Sequence, residues 1–182
     1  MRITRRQIRE VIRGEIHAPS HSEVTVINAL RDMSGPRGLP VTHEFPAAAL
    51  DDVMRDGMIR GTYGIFFTLG HLQSPQFVTG PGYMVHGYIP REHVSSDFIY
   101  PDMRFVSEAG GEFEDAWEAM WAEQRGDLIG LEVSTNYDEW PSSQWTGVID
   151  NQTGDRIWVP SSRARSSARV RGPSLPAPTT GG

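Results

Sequence analysis

The chain has 182 residues, enough for one domain with a real core, and its net charge of −6 argues against the basic footprint that nonspecific nucleic-acid binding favours. It has no cysteine, which excludes disulfides, thiolate metal sites and a cysteine nucleophile. All 17 basic side chains are arginine, so a lysine-dependent phosphate loop and a Schiff-base lysine are excluded too.

No apolar run approaches the roughly 18–20 residues needed to span a bilayer. The charged N-terminus lacks the apolar stretch of a secretory signal. The expectation is a soluble, cytoplasmic protein with no membrane partner. The opening "MRITRRQIREVIRGEI" reads as a helix, with Thr4 as cap, Gln7 at the capping-box position and Ile8, Val11, Ile12 and Ile16 in one stripe. Its arginines occupy other faces, so it is either a docking helix for a partner or an arginine-solvated helix on its own domain. Ser20 and Glu23 again have capping-box spacing, and Ser34-Gly35-Pro36 is a stop signal, which predicts a second helix over about 22–33. The β-branched cluster from Val24 to Ile27 leaves a strand open there.

"LPVTHEF" predicts a short strand holding His43. Pro46 and Gly57 bracket a helix with Ala49, Leu50, Val53 and Met54 on its apolar face. "YGIFFT" and "YMVHGYIP" predict strands on either side of the turn at Gly80-Pro81-Gly82. Residues 91–111 read as mostly irregular. "EFEDAWEAMWAEQRG" predicts an amphipathic helix with Phe113, Trp117, Met120 and Trp121 on its core side. "DLIGLEVS", "QWTGVID" and "RIWVP" predict three further strands, the last two joined by a loop over 151–155. From Ser161 the composition cannot bury a core, which predicts a disordered tail. The predicted organisation is an N-terminal helical segment (1–36), an α+β core (37–160) and that tail (161–182). Helices come first, then strands broken by two helices, so the sheet should be mixed and mostly antiparallel rather than doubly wound.

The six histidines show no zinc spacing, and Pro19 between His17 and His21 breaks the turn that a helical metal pair needs. There is no G-x-S-x-G elbow, and "GPGYMVHG" lacks dinucleotide-fingerprint spacing. The order of segments carries more. A histidine strand leads into a helix ending at Gly57, then into "YGIFFT", then into a strand ending "GYIPREH", with two late strands beyond. This resembles the split-sheet ADP-ribosyltransferase fold, in the branch of the poly(ADP-ribose) polymerases and diphtheria-like toxins.

That resemblance implies NAD as substrate, no metal, and transfer of ADP-ribose to a protein or nucleic-acid acceptor. It implies a cofactor-binding set of His43, Tyr63, Gly64 and Phe66. His43 matches the ribose-binding histidine, although Glu44 follows it where the family has glycine. Gly64-Ile65-Phe66-Phe67 matches the G-I-Y-F strand, with Phe66 in the place of the nicotinamide-stacking tyrosine. Tyr63 is an odd number of steps from Phe66 and so should face the other way on a strand. The late-strand register puts Gln144 where the family has its catalytic glutamate. Gln144 and Glu139 are therefore the catalytic candidates, with Glu132 a third. Two other readings stand beside this one. The N-terminal helix is similar to the starts of bacteriophage accessory proteins, which implies a structural or regulatory binding module, in the host cytoplasm. A degenerate transferase fold that binds without turnover would suit Phe66 and Gln144.

Overall fold

A computed structural model describes residues 21–62, 64–101, 103–110, 113–123 and 128–160. Helix α1 (His21–Met33) buries Val26, Ile27 and Leu30, one stripe at helical spacing, and ends where the Ser34 hydroxyl donates to the Leu30 carbonyl. Strand β1 (Leu39–Pro46) passes through a 3-10 turn at Ala47–Ala49 into α2 (Leu50–Asp56), which Gly57 closes. Strands β2 (Met58–Arg60), β3 (Phe66–Leu69) and β4 (Gly82–Ile89) follow. After a 3-10 turn at Arg91–His93 come β5 (Ile99–Pro101), α3 (Met103–Glu108) and α4 (Phe113–Glu123). The chain then forms β6 (Glu132–Thr135), β7 (Glu139–Pro141), a 3-10 turn at Ser142–Gln144, β8 (Trp145–Asp150) and β9 (Arg156–Trp158).

The fold is α+β. Seven strands form one sheet in the order β5-β6-β3-β1-β4-β8-β9, with every neighbouring pair antiparallel, and β2 and β7 form a separate antiparallel pair. The sheet's inner face carries Val41, Phe67, Leu69, Val85 and Val133, which join Val26 and Leu30 of α1 and Trp117 and Met120 of α4 in one core. The small sheet closes this core from the side. Trp140 of β7 is wholly buried, 4.8 Å edge-on from the Phe67 ring and 6.0 Å from Trp145. Burying such rings removes more apolar surface than any other single choice of side chain.

Several predicted boundaries move. Residues 91–111 are not irregular: Ile99–Pro101 becomes a strand by pairing with β6, and α3 follows it. That pairing partner lies more than thirty residues away, beyond the reach of local propensity. The "DLIGLEVS" strand shrinks to Glu132–Thr135, because the chain turns at Gly130, whose N–H bonds to the Leu69 carbonyl. The "YGIFFT" strand begins only at Phe66, and β8 begins at Trp145 rather than at Gln144. Strands β2 and β7, three residues each, are additions to the predicted set. The N-terminal helix, the metal-pair candidate His17 and the tail lie outside the described residues.

Candidate functional site

Strand β3 sends alternate side chains to opposite faces. Ile65 and Phe67 are buried at 2% and 1% exposure, while Phe66 between them is 45% exposed on the outer face. Across the sheet Phe66 stands level with Ser134 of β6, and Ser134 with Tyr100 of β5. The Ser134 hydroxyl is buried with no hydrogen-bond partner among the described residues. One step along, Thr68 stands level with Glu132, so Glu132 shares the outer face with Phe66.

On the other side of β3, the pair Thr42–Thr68 fixes which residues of β1 face outward, and Glu44 is one of them. Its carboxylate accepts three backbone N–H groups: Gln76 at 2.8 Å, Phe77 at 3.0 Å and Val78 at 2.9 Å. The carboxylate thereby clasps the 70–81 segment to the outer face and fixes Phe77, itself 50% exposed, on that side of the sheet. The same segment covers the far half of the face. The Thr42 hydroxyl donates to Gly70, His71 stacks on His86 with ring centres 4.8 Å apart, and His86 Nε2–H donates to the Leu72 carbonyl. Burial, then the neighbouring His71, and Arg156 beyond it push His86 down to about 4, against the bond to Leu72.

His43 lies on the opposite face from Phe66. Its ring meets Phe67 edge-on at 6.0 Å, and its Nδ1–H donates to the Phe66 carbonyl at 2.7 Å. Burial holds its pKa below the usual histidine value, against the pull of that bond and of Glu44, so the ring is neutral near pH 7. The paired residues of β1 and β3 end at Thr42–Thr68, and the imidazole supplies the next tie between the strands. It therefore positions Phe66 through its backbone. Gly64 has φ 111°, and a Cβ there would overlap the Thr135 carbonyl oxygen, so only glycine lets the chain cross the end of β6 and enter β3. Tyr63 lies outside the described residues.

The two catalytic candidates are elsewhere. Glu139 is on β7 in the small sheet, facing Arg60, whose Nε is 3.4 Å from its carboxylate. Arg60 also reaches Asp56 at 2.6 Å, and with Arg55 it holds the Asp56 carboxyl below its usual range. Gln144 ends the turn before β8. Its amide hydrogen-bonds to the Tyr137 hydroxyl, whose pKa burial pushes up, and its Oε1 is buried without a partner. It lines a groove of about 330 Å³ beside Arg37, Tyr88 and Trp145.

The structure thus brings Phe66 and Glu132 onto one face and keeps His43, Glu139 and Gln144 away from it. Phe77, Glu44 and Ser134 are additions to the predicted set. Among the described residues no three His, Asp or Glu side chains are grouped to hold a metal ion, and no helix is long and apolar enough to cross a membrane. No family model matches the chain, and neither a curated protein nor a solved structure matches it.

Proposed function

We propose that the protein binds NAD with the nicotinamide ring against Phe66 and transfers ADP-ribose to a protein or nucleic-acid acceptor, as an ADP-ribosyltransferase-like fold. The observation that carries this reading is the outward, 45% exposed ring of Phe66 inside an otherwise buried strand. A core strand has no use for an exposed phenylalanine, whereas a flat heterocycle gains roughly 1–3 kcal/mol by stacking on one. Phe77 is exposed on the same side of the sheet.

Glu132 takes the acidic role on this reading, in place of Glu139 and Gln144, because it shares the face with Phe66. As the bond from the anomeric carbon to the nicotinamide nitrogen breaks, positive charge develops on the ribose, and a carboxylate aimed there stabilises it. The electron pair leaves with nicotinamide, and the acceptor's nucleophile then bonds to the anomeric carbon. His43 contributes by fixing the Phe66 backbone.

A second reading, a nucleotide-binding module without turnover, is favoured by the engagement of Glu44 and Glu139. Glu44 holds three amides and Glu139 pairs with Arg60. Calorimetry with NAD and an assay of nicotinamide release separate the two. Phe66→Ala should weaken NAD binding at least about fivefold, the low end of the stacking energy. Glu132→Gln should preserve binding and reduce nicotinamide release about 100-fold, the usual cost of one lost electrostatic contact to a transition state. Binding without release by the unaltered protein selects the second reading, and absence of NAD binding defeats both.

A further inference from the structure

We infer that residues 70–81 form a strap that mild acid lifts from the outer face of the sheet, with the stacked rings of His71 and His86 as the trigger. The strap is anchored at both ends. The Gly70 N–H donates to the Pro40 carbonyl at 2.8 Å, and the Gly80 carbonyl accepts from the side-chain amides of Asn151 and Gln152 at 3.0 and 3.1 Å. Between these anchors Leu72 is the one buried side chain, and residues 73–77 are exposed. A segment with so little apolar burial is held by its polar ties, and those ties set how readily it opens. They run to the part of the outer face that carries Thr42, Met84 and His86, all buried.

Two of the ties are reciprocal. His71, on the strap, donates its Nε2–H to the Gly87 carbonyl of β4 at 3.0 Å. His86, on β4, donates its Nε2–H to the Leu72 carbonyl of the strap at 2.8 Å. The two rings therefore lie face to face, parallel within 1°, with centres 4.8 Å apart. Each Nε2 already carries its hydrogen, so a further proton goes to Nδ1 and turns the ring into a cation. Two imidazolium rings at that spacing repel each other.

The groups around the pair add to that repulsion. From β9, Arg156 lays its side chain across Gly147 of β8, which stands level with His86. From β4, Tyr88 meets His71 edge-on at 5.2 Å, and the Arg37 guanidinium lies 6.0 Å from the centre of the Tyr88 ring. On β1 the charged group facing this way is Glu44, whose carboxylate is taken up by the amides of Gln76, Phe77 and Val78. Charging the pair thus breaks both reciprocal ties. The neighbouring tie, from the Leu72 N–H to the Thr42 hydroxyl at 3.1 Å, goes with them. The strap then swings out between its two anchors and uncovers His86.

The device needs no bound ligand, so the full chain alone tests it. Hydrogen exchange read by two-dimensional NMR gives protection factors for the amides of Leu72, Gln76, Phe77 and Val78, with the intrinsic rate at each pH divided out. With the strap open His86 takes its proton near 6.5, and with it closed only near 4. Opening is therefore rarest above pH 6.5, and protection of the strap should fall about 25-fold from pH 7.5 to pH 5. Amides in the middle of β1 and β4 should keep their protection. His86→Gln keeps a donor for the Leu72 carbonyl, and its strap protection should change less than about threefold over the same range. His71→Gln, at a less buried position, removes one of the two charges, and its fall should be at least about threefold smaller than that of the unaltered protein. The proposal is overturned if strap protection does not fall with pH, or if it falls in step with β1 and β4. It is equally overturned if the full fall persists in either variant.

Discussion

The stacked pair of His71 and His86 makes the fold sensitive to mild acid, and His86→Gln isolates the effect. In the unfolded chain His86 takes its proton near 6.5, and in the fold only near 4. Between those values the unfolded state holds a proton that the native state refuses, so stability is full above about pH 6.5 and falls as the pH drops toward 4. The difference, at about 1.4 kcal/mol per pH unit, is worth about 3 kcal/mol. For a chain of this length that corresponds to roughly 6–12 °C in melting temperature. Glutamine keeps a donor for the Leu72 carbonyl but has no proton to gain. Urea melts of both proteins at pH 7.5, 6.5, 5.5 and 4.5 give two curves of stability against pH. Contributions common to both proteins cancel in the difference. The curves should converge by about 3 kcal/mol toward pH 4, the unaltered protein falling more steeply. Parallel curves would refute the assignment of that proton to His86.

Two substitutions probe the frame around Phe66. Gly64→Ala forces a Cβ into a left-handed conformation and onto the Thr135 carbonyl, which should cost about 2–4 kcal/mol in chemical denaturation; a loss below about 0.5 kcal/mol would mean the chain does not cross β6 as described. Glu44→Gln weakens three charge-assisted hydrogen bonds to the 70–81 segment and should cost about 1–2 kcal/mol locally. Hydrogen exchange at the amides of Gln76, Phe77 and Val78 should quicken about tenfold or more while core strands keep their protection, and unchanged exchange would show that the clasp is idle.

How far the sequence is legible depends on the range over which each feature is determined. Helix α2 is readable because Gly57 marks its end within the segment itself, although Pro46 closes β1 and a 3-10 turn precedes Leu50, and α1 because its apolar stripe has helical spacing. Strand β5 and the small sheet are not, since Met58–Arg60 and Glu139–Pro141 are strands only by virtue of each other, across some eighty residues. The run Ile65-Phe66-Phe67 signals a strand, but three apolar residues in a row conceal which one faces outward; only the partners Val133 and Ser134 decide it. His43 was visible as a polar residue on a strand, yet its partner is a backbone carbonyl, which no side-chain motif encodes.

The outermost strands of the seven-stranded sheet, β5 and β9, are three residues each. A wide open sheet ordinarily exposes two rims of unpaired backbone groups, each able to receive a strand from another molecule. Here one rim ends in Pro101, which has no N–H to donate, and the other is followed, after Val159, by Pro160. An incoming chain would find at each rim only two or three residues to pair with before a proline interrupted it. The sheet can therefore grow broad without growing sticky at its margins.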